Sequence, residues 1–173
     1  MLKSLLALGT LAALATAAPA AAQLDDPTIV AIFDAANAAD IETGELAIKR
    51  GQSQEVRDFG AMLARDHKAV RQMGRDLAAR LGVRPTPPAD SSSRVAHARA
   101  MASLRATPAA EFDQAFLAHE VAFHQAVIDA VTSTLLPATR NEELKALELK
   151  VAPAFAAHRD AAAEIARRLK AGR

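Results

Sequence analysis

The stretch HEVAFH, residues 119–124, places two histidines and a glutamate within six positions of an otherwise apolar segment. Glu120 and His124 are four residues apart, so on a helix their side chains share one face and can bind one ion or each other. His119 lies beside Glu120 on the neighbouring edge of that face. The residue types allow a metal site, an acid/base site, or polar side chains that face water.

Three other apolar stripes are each interrupted by one ionisable residue at a core position. These residues are Asp40, His67 and His158. Because burial of an unpaired charge is costly, four such interruptions in one small protein favour a shared polar layer. The alternative is that each histidine is a core residue satisfied by its own hydrogen-bond partner.

Distances along the chain test which residues can share that layer. Around a turn predicted near Gln52, Asp40 lies 12 residues before and His67 lies 15 residues after, a height difference of about 5 Å at the rise of an α-helix. Around a second turn predicted near Ala138, Glu120 and His119 match the height of His158 better than His124 does. This spacing supports a common layer but does not decide which of His119, Glu120 and His124 belongs to it.

The elements that must position these residues are helices. Apolar residues recur with a helical period in four long segments, which start near residues 27, 54, 108 and 141. Between the second and third segments, residues 83–93 carry three prolines and several Ser and Asp residues, which is typical of a linker, and a short helix is predicted from Arg94 to Leu104. This pattern predicts an all-α protein, with two helical hairpins forming an antiparallel four-helix bundle and an extra short helix in the long connection.

Cap and stop residues mark the ends of these segments. Ser53 is predicted to cap the second segment and Gly82 to end it, and Thr107 is predicted to cap the third segment, with Pro108 at its first helical position. Pro153 lies inside the fourth segment, where it should kink the helix or mark a late start.

The first 22 residues have the composition of a cleavable secretory signal peptide. Lys3 provides the positive start, an apolar run follows, and Ala20-Ala21-Ala22 precedes Gln23. The apolar run is too short to span a bilayer. We therefore expect a periplasmic protein whose single bundle domain comprises residues 23–173, with no transmembrane segment after cleavage.

Composition excludes several classes of function. The formal net charge is +1, and Trp, Tyr and Cys are absent. Such a chain has neither the basic surface nor the aromatic residues that nucleic-acid binding requires. Without cysteine it has no disulfide and no thiolate chemistry, and no Ser or Thr lies in a recognisable nucleophile motif.

Four blocks of the sequence carry a family resemblance: ADIETGELA, RDFGAMLARDHKAV, EFDQAFLAHEVAFHQAVI and APAFAAHRDAA. Together they resemble the bacterial ferritin-like family called domain of unknown function 4142, over nearly the whole chain after residue 22. The resemblance implies an exported helical bundle in which Asp66-His67, His124 and His158 occupy recurrent polar positions. Asp40 stands where that family usually has Glu. The resemblance implies no activity.

These residues favour a metal-binding protein over an enzyme. The chain has no Glu-x-x-His motif, which the di-iron members of the wider ferritin-like group use. A site rich in histidine suits zinc or copper better than iron. The candidate ligands are His67, His124, His158, Asp40, Glu120, His119 and Asp66. The alternatives are a structural or interaction module with a metal-free polar layer and a metal-dependent oxidoreductase. The sequence identifies no protein partner and is compatible with a homo-oligomer.

Overall fold

A computed structural model describes residues 24–172, and every regular element in that range is helical. The long helices are α1 (Asp26–Arg50), α2 (Gln54–Leu81), α3 (Ser92–Ala106), α4 (Ala109–Ala130) and α5 (Glu142–Ala171). Helix α4 continues through a π-helical turn, Val131–Leu135, and one further helical turn, Leu136–Ala138. The predicted all-α class is confirmed. The predicted signal peptide, residues 1–22, lies outside the described residues.

The helices form an antiparallel four-helix bundle built from two hairpins. Helix α1 packs along α2 and α4 packs along α5, while α2 also contacts α5 and α1 also contacts α4. The short helix α3 lies in the connection between the hairpins and touches α1 and α4. This arrangement confirms the predicted ferritin-like bundle with its extra helix.

Local side-chain chemistry sets the helix boundaries. Asp25, Ser53 and Asn141 each accept hydrogen bonds from the first free amides of α1, α2 and α5, which satisfies donors that have no partner inside the helix. Helix α2 ends at Gly82, whose φ of 67° lies in the left-handed region that glycine tolerates. The predicted N-cap at Ser53 and the predicted stop at Gly82 are therefore confirmed.

Two predicted details of the connections differ in the structure. Thr107 was expected to cap the third long helix, but its hydroxyl donates to the Ser103 carbonyl at the end of α3, and Pro108 occupies the N-cap position of α4. Pro153 was expected to kink the last helix or to mark a late start, but α5 already starts at Glu142 and runs without a break through this proline.

Two apolar clusters fill the bundle on either side of a polar layer. One includes Phe33, Leu77 and Phe155, and the other includes Phe59 and Phe116. In each of the four bundle helices, the residues of one cluster come before the polar position and those of the other come after it. The polar layer is consequently enclosed along the bundle axis by hydrocarbon, which excludes water from it.

A close crossing of α1 and α2 lies next to this layer. A Cβ atom built on Gly60 would lie 2.7 Å from both the Gly44 carbonyl oxygen and the Ala47 Cβ atom. Such contacts are too short for real carbon atoms, so both helices approach as only glycine permits. Gly44 is one turn after Asp40, so this crossing brings Asp40 close to α2.

Candidate metal centre

Each of the four bundle helices contributes one side chain to a single buried group. Asp40 comes from α1, His67 from α2, His124 from α4 and His158 from α5, and one ligand atom from each lies within 4.8 Å of the others. Their exposed fractions are 0%, 2%, 0% and 6%. We call these four residues the core group.

The distances within the core group are compatible with a coordination shell. Asp40 Oδ2 contacts His67 Nε2 and lies 3.2 Å from His124 Nε2, and His67 Nε2 lies 3.2 Å from His158 Nδ1. A tetrahedral ion with metal–nitrogen bonds of about 2.0–2.1 Å separates its ligand atoms by about 3.3 Å. An ion would therefore fit with small movements of the side chains.

Asn37 fixes the tautomer of His67. The Asn37 amide nitrogen donates to the Phe33 carbonyl at 2.8 Å, so its amide oxygen is the atom that faces His67 Nδ1 at 2.9 Å. His67 Nδ1 must then carry a hydrogen, and the Nε2 lone pair points into the core group. The ring is also held by stacking on Phe155, with centroids 5.7 Å apart.

The other two histidines are oriented by partners in the same way. His124 Nδ1 lies 2.9 Å from the Glu120 carbonyl oxygen and can only donate to it, which leaves the Nε2 lone pair free. His158 Nε2 faces the Asp66 carboxylate at 3.4 Å, so its Nδ1 lone pair turns inward. Histidines that bind metals almost always donate their second ring nitrogen to such an oxygen.

Four lone pairs consequently converge on one buried point. Neither Asp40 Oδ2 nor His124 Nε2 makes a hydrogen bond of acceptable geometry. Burial raises the pKa of the Asp40 carboxyl, but the imidazoles of His124 and His67 lower it by more, so the net pKa lies well below the ordinary range. Burial and the two neighbouring imidazoles lower the pKa of His158. An ionised carboxylate among inward lone pairs requires a cation, either a metal ion or protons.

Glu120 lies beside the core group, and its environment shifts its pKa in the direction opposite to that of Asp40. Its side chain is fully buried, and neither carboxyl oxygen has a hydrogen-bond partner. Burial, followed by the nearby Asp40 carboxylate, raises its pKa well above the ordinary value. Glu120 supports His124 through its backbone carbonyl, and its carboxyl oxygens are not among the ligand atoms that converge in the core group.

The seven predicted ligands thus fall into three groups according to their location. Asp40, His67, His124 and His158 are brought together, while Glu120 and Asp66 touch the outer sides of His124 and His158. His119 is half-buried, stacks on Phe123 and does not join the core group. Sequence reasoning missed Asn37, although its position one helical turn before Asp40 could have indicated it.

The heights of the α4 residues relative to His158 depend on where the turn between α4 and α5 is centred. The non-helical residues of the turn are 139–141, so the turn is centred on Arg140 and not on Ala138. His124 then lies 16 residues before the centre and His158 lies 18 after it. Glu120 lies 20 residues before the centre, so Glu120 and His124 differ equally from His158 in height, and His119 differs more. The expectation that Glu120 and His119 match His158 better than His124 does is therefore not met, because the turn is centred two residues later than the sequence pattern predicts, and it is His124 that joins the core group.

Comparison with known proteins gives the fold and the family. A crystallised DUF305 fragment from Deinococcus radiodurans is 18% identical, with a TM-score of 0.70 over 87% of this chain and 99% of the fragment. CopM in its Cu(II)-bound form is 15% identical, with a TM-score of 0.64 over 84% of this chain and 98% of CopM.

Within residues 24–172, no helix is both long enough and apolar enough to cross a membrane. Among proteins with curated descriptions, none matches the sequence. The profile of one family, described as domain of unknown function (DUF4142), matches residues 11–165. The chain therefore belongs to the DUF4142 family.

Proposed function

We propose that this protein binds one transition-metal ion in the core group and acts as an exported metal-binding protein, not as an enzyme. The observation that carries this proposal is the convergence of four inward lone pairs, one from each bundle helix, on one buried point. The chain itself would supply the complete coordination shell.

The donor set favours zinc or copper. Three imidazole nitrogens and one carboxylate oxygen, with no thiolate, suit Zn²⁺ or Cu²⁺, whereas iron in ferritin-like bundles is held mainly by carboxylates. The core group contains one carboxylate, that of Asp40, whereas a di-iron site would use several. The Cu(II)-bound state of CopM, which shares the fold, makes copper the first ion to test.

The closure of the site favours binding over catalysis. Zinc sites with four protein ligands are usually structural, whereas catalytic sites keep one position open for water or substrate. All four residues of the core group are at most 6% exposed. We therefore propose capture or storage of an ion in the cell envelope, where the signal-like start of the chain would direct the protein.

Thermal unfolding of metal-free and metal-loaded protein, followed by circular dichroism, tests the proposal. An ion present at about 1,000 times its Kd stabilises the folded state by about 4 kcal/mol, which raises the Tm of a domain of this size by about 10 °C. The rise should shrink near pH 5, because His158 must be unprotonated to bind and protons then compete with the metal.

Matched variants locate the effect. Asp40→Asn and His158→Ala should abolish most of the metal-dependent rise in Tm, whereas Asp34→Asn, the same change six residues earlier on α1, should retain it. Asp34 pairs with Arg71 and Arg75 outside the core group. Equal Tm values for metal-free and metal-loaded wild-type protein at neutral pH would refute metal binding and favour a structural polar layer.

A further inference from the structure

His119 is a core-facing candidate that the core group does not use. Its side chain is half-buried, its Nε2 atom has no hydrogen-bond partner, and its ring stacks on Phe123 with centroids 5.9 Å apart. His97, on α3, has a second buried ring nitrogen without a partner, Nδ1. Two imidazole nitrogens that are buried and unpaired need an explanation, because each such atom costs free energy.

The two histidines lie at equal chain distances from the turn between α3 and α4. His97 lies 11 residues before Pro108 and His119 lies 11 residues after it, and Pro108 forms the turn between the two helices. The two rings are close enough that, after burial and against the opposite effect of Asp40, His97 contributes to the lowered pKa of His119. The hairpin therefore presents both rings in one region.

Glu42 connects this region to solvent. Its Oε2 atom lies 3.1 Å from His97 Nε2, and the exposed fractions of the two side chains are 57% for Glu42 and 19% for His97. Glu42 is two residues after Asp40 on α1, and His119 directly precedes Glu120 on α4. Glu42 thus lies near the height of Asp40 on α1, and His119 lies near the height of Glu120 on α4.

We propose that Glu42, His97 and His119 form a loading site, which captures a hydrated Cu²⁺ or Zn²⁺ ion at the surface and transfers it to the core group. This inference rests on the proposed function of the core group. Among the described residues, the core group alone converges tightly enough to hold an ion as it stands. The loading site must therefore adjust around the ion, bind it more weakly, and release it to the stronger site.

The chemistry of the three residues suits this role. Glu42 is exposed and negative, so it attracts a hydrated cation, and the two imidazoles replace waters of the ion one at a time. His119 is near enough to Asp40 and His124 for their charges to affect its pKa. Two surface grooves, one lined by Phe59 and the other by Phe33 among their residues, contain no member of the core group.

Stopped-flow loading of metal-free protein with Cu²⁺ tests the rate that the loading site controls. His97→Gln and the double variant with His119→Gln should load at least tenfold more slowly than wild type, with an unchanged final content of one ion per chain. Ser103→Ala, a neutral change at an exposed position of α3, should load at the wild-type rate. An unchanged rate in a folded His97→Gln variant would refute the loading site while leaving the core group intact.

A second measurement separates this proposal from the proposed function. In Asp40→Asn, which weakens the core group, a small amount of Cu²⁺ should broaden the imidazole NMR signals of His97 and His119 before those of His67 and His158. Broadening that starts at His67 and His158 would overturn the loading site. Failure of wild-type protein to retain any ion would refute the function of the core group instead.

Discussion

The orientation of three imidazoles depends on residues that would not touch a metal ion. Asn37, the backbone carbonyl of Glu120, and Asp66 each occupy the outer ring nitrogen of one histidine. The Asn37 amide can take only one orientation, because its nitrogen already donates to Phe33. Such partners fix ring orientation and raise the basicity of the ligand nitrogen, so their loss usually weakens metal affinity 10- to 100-fold.

Glu120→Gln should stabilise the metal-free protein at pH 7. The folded pKa of Glu120 is raised above the usual 4.5, so the folded state keeps a proton that the unfolded state loses as the pH rises. The cost of folding therefore grows by about 1.4 kcal/mol per pH unit above the unfolded pKa, until the folded pKa is reached. Glutamine is neutral at every pH and avoids this cost.

Denaturant unfolding at pH 5 and pH 7 measures the effect. The advantage of Glu120→Gln over wild type should be larger at pH 7 than at pH 5. Glu142→Gln is the control, because it makes the same substitution at a side chain that is 84% exposed. An equal difference at the two pH values would contradict a raised pKa of Glu120.

At the scale of the helices, the crossing of α1 and α2 determines how closely Asp40 approaches His67. Gly44 and Gly60 allow the two backbones to touch, and the atoms that block a Cβ on either glycine include backbone carbonyl oxygens. Backbone atoms in the middle of two packed helices cannot move aside cheaply. The separation of α1 and α2 is therefore set by these two glycines.

Gly60→Ala should destabilise the protein and weaken metal binding together. Alanine gains about 0.5–1 kcal/mol of helix propensity, but the overpacked crossing costs about 1–3 kcal/mol and pushes the helices apart. We expect a net loss of stability and a metal affinity reduced at least tenfold, measured by denaturant unfolding and metal titration. Gly172→Ala, where the nearest atom is 3.6 Å from the added Cβ, is the control. Unchanged affinity in a folded Gly60→Ala variant would show that the crossing does not position the site.

At the scale of the whole molecule, one ion would connect all four bundle helices. The two apolar clusters enclose the polar layer from both ends. The packing of all four helices therefore offsets the free-energy cost of burying the Asp40 carboxylate. The linker between the hairpins comprises residues 83–91 and lies outside the core group. Binding would thus stabilise both hairpins and the contact between them.

Export is the prediction that belongs to the complete chain. The positive start, the apolar run and Ala20-Ala21-Ala22 predict removal of residues 1–22 by signal peptidase. Mass spectrometry of the protein from the periplasmic fraction of a bacterial host should give a chain that begins at Gln23. Recovery of the full-length chain in the membrane fraction would contradict a periplasmic location.

The sequence by itself determined the helices and the polar positions within them, because both depend on a local period and on caps such as Ser53 and Asn141. It also indicated Asp40, His67, His124 and His158 among seven candidate ligands. Only the tertiary structure decided that His124, and not Glu120 or His119, joins the core group, since chain distances around the turn leave Glu120 and His124 equally placed. The role of Asn37 and the raised pKa of Glu120 likewise follow from the packing of four helices around one point, which no single helical pattern contains.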